Sequence, residues 1–168
     1  YQHIAEYLNG DRPDWDRKAT LRCIEASSDS GTTEPLARLL VVGHAYGATE
    51  GDNRGVDPAL VEFLSSTDDR GDLVALTGDI VRHASNRNFT LVRDQLSPYA
   101  DQLVVAPGNH DVGTARDNAK RDTFKSVFGS LWSAVELSDV LLVFLDLSVD
   151  WKLDIEQQQW LEDLLTPS

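Results

Sequence analysis

The sequence predicts an α/β fold built on a mixed, mostly parallel sheet that is buried and flanked by helices. Three observations lead there. Apolar runs of strand length recur at Leu39–Val42, Leu73–Thr77, Leu103–Ala106 and Val140–Leu145. They are continuously apolar rather than alternating, as strands covered on both faces are. Segments with helical apolar spacing separate them, and strands alternating with helices imply parallel pairing.

The elements follow in order. Residues 1–37 read as an N-terminal extension or linker, and 38–168 as a domain that is itself partial. Within the extension, Asp11–Lys18 is charged without a period and Ser27–Pro35 has the composition of a loop. A short helix over Lys18–Ala26 fits between them, and His3 at the frayed end has no structural role. In the domain, Asp57-Pro58 caps and starts a helix whose apolar face is Leu60, Val61 and Leu64. Phe89, Val92 and Leu96 mark a second helix, which Pro98 ends. Phe124 and Phe128 mark a third. Asp154 with Gln157 forms a capping box for a last helix that turns Trp160, Leu161, Leu164 and Leu165 inward.

Composition narrows the function. At 168 residues the chain is long enough to bury a core, and no apolar run reaches the roughly 18 residues of a membrane helix. One cysteine, Cys23, excludes an internal disulfide framework and a cysteine-rich zinc site, and favours a reducing cytoplasm. Asp and Glu number 28 against 15 Lys and Arg, a formal charge of −13. Nonspecific nucleic-acid binding needs cationic side chains that release counterions, so a nucleic-acid duplex is not the expected partner. An anionic substrate stays open, because bound divalent cations reverse the local field.

The chemistry lies at the strand ends. Gly108-Asn-His-Asp111 follows Leu103–Ala106, Gly78-Asp79 follows Leu73–Thr77, and Gly43-His-Ala-Tyr-Gly47 follows Leu39–Val42. In parallel sheets ligands bind beyond the carboxyl ends of the strands, where all three motifs sit. Asp79 has two oxygens with which to bridge cations, and Asn109 offers a neutral oxygen. His110, oriented by Asp111 or a nearby carbonyl, can protonate a leaving oxygen. Two metals so placed would activate water for in-line displacement at phosphorus. No Gly-x-x-x-x-Gly-Lys-Ser/Thr, Gly-x-Gly-x-x-Gly or Gly-x-Ser-x-Gly pattern supports a nucleotide-binding domain or a serine hydrolase.

From Arg38 to about Leu165 the chain resembles the calcineurin-like metallophosphoesterases. Leu76-Thr-Gly-Asp79 and Pro107-Gly-Asn-His-Asp111 match the second and third family motifs, and Val143–Ser148 with Gln157–Glu162 resembles the later strand and helix. The resemblance implies half of an α/β sandwich and hydrolysis of phosphate mono- or diesters. It also implies two metal ions (zinc, iron or manganese), with Asp79 as bridging ligand, Asn109 as a ligand of the second metal and His110 as the acid. Where the family has Gly-Asp-x-His-Gly, His44 and Tyr46 replace the aspartate and the histidine. Either they bind metal, favouring ions suited to imidazole, or the first motif has decayed and they hydrogen-bond or pack. The family's two later histidine motifs have no counterpart among His3, His44, His83 and His110. A C-terminal half or another chain is therefore the expected partner. A phosphoesterase-like binding or regulatory module without catalysis is the alternative. Substrate choice is expected in the loops Ala48–Asp57, Arg82–Asn88 and Val112–Arg121, the last carrying Arg116, Lys120 and Arg121.

Overall fold

Parallel pairing of the central strands brings the polar motifs to one edge of the sheet. The computed structural model describes residues 4–6, 20–26, 37–47, 54–66, 71–116, 118–137 and 140–166. His3, Asp11–Lys18, Ser27–Pro35 and most of the Ala48–Asp57 loop lie outside the described residues. Three parallel strands form the centre: β3 (Ala37–Gly43), β4 (Leu73–Thr77) and β5 (Leu103–Ala106). Two further strands, β1 (Ile4–Glu6) and β2 (Thr20–Ala26), extend the sheet antiparallel beyond β3, in the order β1-β2-β3-β4-β5.

Strand β2 corrects the helix expected over Lys18–Ala26. All seven of its residues pair with β3, from Thr20 opposite Gly43 to Ala26 opposite Ala37. An isolated nine-residue helix is marginal, whereas the open edge of β3 offers a row of unpaired backbone groups. The long-range pairing decides the conformation.

Strand β4 is the centre of the core: Leu73, Val74, Ala75 and Leu76 are all buried. Its register places Val42 beside Leu76 and Leu76 beside Val105, so the carboxyl ends of β3, β4 and β5 finish level with one another. Helices α1 (Pro58–Ser66) and α2 (Asn86–Leu96) make the crossovers. Asp57 caps α1 by accepting from the Ala59 N–H at 2.8 Å, and Leu60 and Leu64 are buried as the spacing requires. Ser85 caps α2, which buries Phe89, Val92 and Leu96. Helix α2 ends at Leu96, just before Pro98 as expected, and the chain then tightens into a 3-10 turn, Ser97–Gln102. A proline in the first turn of such an element loses no needed N–H.

After β5 come a single helical turn, α3 (Asn109–Val112), and helix α4 (Ala119–Phe128). Phe124 meets Phe89 edge-on at 5.7 Å, and Phe128 lies 5.5 Å from Phe89 and 5.1 Å from Phe124. Tilted and edge-to-face rings add about 1 kcal/mol per pair beyond their burial, which ties α4 to α2.

The run Val140–Leu145 forms a strand, β7 (Val140–Phe144), but not in the parallel sheet. It pairs antiparallel with β6 (Ser133–Leu137) in a separate two-stranded sheet, with Val140 and Leu141 exposed. Helix α5 (Ile155–Leu165) follows. Asp154 caps it through the Gln157 N–H, yet the Gln157 side chain turns to the backbone of Asp146 instead of closing the box. The inward face expected of α5 is corrected as well: Leu164 and Leu165 are exposed, Trp160 and Leu161 half-buried, and Gln157 is its one buried residue. The polar bond of Gln157, rather than an apolar stripe, docks the helix. Among the described residues no helix is long and apolar enough to cross a membrane.

Candidate metal centre

The first and second motifs meet directly. Just past β3, the His44 N–H donates to the Gly78 carbonyl at 3.1 Å, and the Tyr46 N–H donates to the Asp79 carbonyl at 3.3 Å. Both His44 and Asp79 adopt left-handed backbone, with φ of 56° and 53°. Only a few per cent of non-glycine residues do so, at a cost of about 1–2 kcal/mol each. This conformation turns the two side chains toward each other, and His44 Nδ1 lies 2.9 Å from Asp79 Oδ2. A carboxylate only accepts, so Nδ1 carries a proton in this contact. The His44 Nε2 is buried and has no hydrogen-bond partner.

The third motif closes over the second. Gly78 has φ of 101°, and a side chain there would run into the backbone of Gly108 at 3.0 Å. A side chain on Gly108 would run into Asp79 Oδ1. Gly108 is needed for this close approach rather than for a left-handed turn, since its backbone is extended. The His110 N–H then donates to Asp79 Oδ1 at 3.2 Å, so both Asp79 oxygens hold a protein partner.

His110 takes its orientation from a carbonyl and not from Asp111. Its Nδ1 lies 3.1 Å from the Arg82 carbonyl oxygen, which fixes the Nδ1–H tautomer and leaves Nε2 for chemistry. Asp111 is fully buried and serves the backbone instead. It accepts from the N–H groups of Ile80, Val81 and Gly108 at 2.8–3.1 Å, tying the Gly78–Val81 turn to the Gly108 turn. Burial pushes its carboxyl up to about 6, against the pull of the hydrogen bonds from Gly108, Val81 and Ile80 and with a small push from Asp79.

Tyr46 is buried, its ring 4.2 Å from that of His44 and 5.3 Å from that of His110. Burial raises its phenol above the ordinary value, Asp79 adding to the rise, which holds it in the phenol form. Asn109 is exposed at the first position of α3. It lines a cleft of about 580 Å³ together with Thr77, Asp79, Gly108 and, opposite, Ser148 and Trp151. His83 is exposed and contributes a carbonyl to Asn88.

Asp79, His44, Tyr46 and His110 thus form one cluster, of which Asp79 lines the cleft beside Asn109. Among the described residues, no group of three or more His, Cys, Asp or Glu side chains is close enough to hold a metal ion. No protein-family model matches the chain, and no curated protein matches it.

A second polar cluster supports the opposite wall of the cleft. Buried Arg121 of α4 pairs with buried Asp146, just beyond β7, through Nη2 and Oδ2. Ser148 donates to Asp146 Oδ1 at 2.6 Å and accepts from Arg121 Nη1 at 3.1 Å. Gln157 brackets the Asp146 backbone, accepting from its N–H at 2.7 Å and donating to its carbonyl at 2.9 Å. Arg121 is therefore committed to a buried pair rather than to the loop surface. The sequence carries a signal for Asp146, a carboxylate closing an apolar run as Asp79 does. For Trp151 it carries none.

Proposed function

We propose that this strand-end cluster is the metal-binding edge of a calcineurin-like metallophosphoesterase domain, and that the chain forms one half of its α/β sandwich. The reaction is hydrolysis of a phosphate mono- or diester. One observation carries the reading: Asp79 and His44, at the ends of adjacent parallel strands, both hold left-handed backbone to form a carboxylate–imidazole pair whose buried Nε2 has no partner. Strained non-glycine residues persist where surrounding structure enforces them, and they gather at functional sites. A buried imidazole nitrogen without a hydrogen-bond partner, beside a carboxylate, suits a cation when it carries no proton.

Asp79, Asn109, His44 and Tyr46 are the residues that would hold zinc, iron or manganese. Such ions supply Lewis-acid activation of water and neutralise charge at phosphorus. His110 donates Nδ1–H to the Arg82 carbonyl; in the doubly protonated form it would pass the Nε2 proton to the departing oxygen and be left as the neutral Nδ1–H tautomer. Asp111 acts by position: it fixes the two turns from which Asp79 and His110 project. The reading requires further imidazole ligands from outside the described residues.

One observation favours a second reading, a phosphoesterase-like module that binds without catalysis. Both Asp79 oxygens already accept hydrogen bonds, as a first motif turned to structural use would leave them. Turnover separates the two. With zinc or manganese supplied, the protein is expected to hydrolyse aryl phosphate mono- or diesters, and His110→Ala to lower kcat about 10²–10⁴-fold with KM little changed. Absence of metal-dependent turnover in the unaltered protein would support the binding module instead.

A further inference from the structure

We infer that the loop from Asp146 to Trp151 is the leaving-group wall of the cleft, with the Trp151 indole as a platform for a flat aromatic or heteroaromatic group. This rests on the phosphoesterase reading of Asp79 and Asn109, which line the same cleft from the other side.

The loop is anchored at one end and strained at the other. Asp146, Arg121, Ser148 and Gln157 lock its base through buried hydrogen bonds. At its tip, Asp150 and Trp151 follow one another at φ of 54° and 57°. Two consecutive left-handed residues without glycine are uncommon, and for a side chain as bulky as tryptophan the conformation is an outlier. The two residues are the centre of a turn closed by the Lys152 N–H on the Val149 carbonyl at 3.1 Å, which buries Val149 but not the indole. Trp151 is 88% exposed, and Leu147 on the same wall is 41% exposed.

A rigid aromatic face held open at the rim of a polar cleft suits a ligand with an ionic end and a flat end. The phosphoryl group goes toward Asp79 and Asn109, and the flat leaving group lies on the indole. Stacking on an exposed aromatic side chain tolerates different rings, so the class is aryl and heteroaryl phosphate esters rather than one compound.

The test compares phenylphosphonate with methylphosphonate, neither of which can be hydrolysed, by calorimetric titration of the protein with manganese added. The unaltered protein is expected to bind the phenyl compound about tenfold more tightly. Trp151→Ala should erase that difference, Trp151→Phe should keep most of it, and methylphosphonate affinity should be the same in all three. Equal affinity for the two compounds in the unaltered protein, or a preference that survives in Trp151→Ala, would overturn the platform while leaving the phosphoesterase reading intact. If neither phosphonate binds, the phosphoesterase reading fails and the platform fails with it.

Discussion

Asp111→Ala is expected to destabilise the protein by about 3 kcal/mol or more. The carboxylate satisfies three backbone donors, two buried on Ile80 and Val81 and one half-buried on Gly108. A buried N–H left without a partner costs about 1–3 kcal/mol, and alanine orphans all three. Asp111→Asn keeps one acceptor oxygen but turns an amide N–H₂ toward the same donors, so an intermediate loss follows. Urea denaturation measures both. The pH dependence gives a second signature. Because burial lifts the Asp111 carboxyl to about 6, the native state holds a proton that the unfolded chain has already released. The contribution of this group to stability therefore falls as pH rises from about 4 to about 6 and is constant above that. With chelator present, Asp111→Ala should lose that slope. A variant as stable as the unaltered protein, with the slope intact, would mean that Asp111 does not hold the two turns together.

Arg121→Ala should cost about 3–5 kcal/mol, because it strands the Asp146 carboxylate in a buried site. The net worth of the pair is much smaller than that. Replacing both partners with apolar residues, Arg121→Met with Asp146→Leu, should recover most of the loss, since the desolvation cost of two charges disappears together. A thermodynamic cycle over the two single variants and the double variant reads the coupling. Near-additive losses would place Arg121 and Asp146 in independent roles.

The central fold was legible because burial is written into composition. Leu73–Thr77 and Leu103–Ala106 are strands with those bounds, although burial along the strand holds for β4 alone and Leu103, Val104 and Val105 of β5 are half-buried. Helices α1, α2 and α4 announced themselves through apolar spacing around Leu60, Phe89 and Phe124, and α1 also through Asp57-Pro58. Strand β2 was not legible, because its conformation depends on an edge of β3 that is distant in sequence. Nor was the docking of α5, which rests on Gln157 meeting Asp146 across eleven residues.

The candidate site divides in the same way. Parallel strands bring their carboxyl ends together, so the meeting of His44, Asp79 and His110 followed from topology. Which atom faces which did not. The left-handed backbone at His44 and Asp79, the Arg82 carbonyl on His110 and the backbone duty of Asp111 are settled by tertiary geometry alone. His44 keeps an imidazole near the Asp79 carboxylate, through Nδ1 and a hydrogen bond.

Metal content tests the central claim most directly. Elemental analysis of the protein at its full natural length, beside Asp79→Ala and Asn109→Ala, is expected to find tightly held zinc, iron or manganese that both substitutions remove. A well-folded protein that carries no metal, or one that keeps its metal in both variants, would contradict a metal centre at these strand ends.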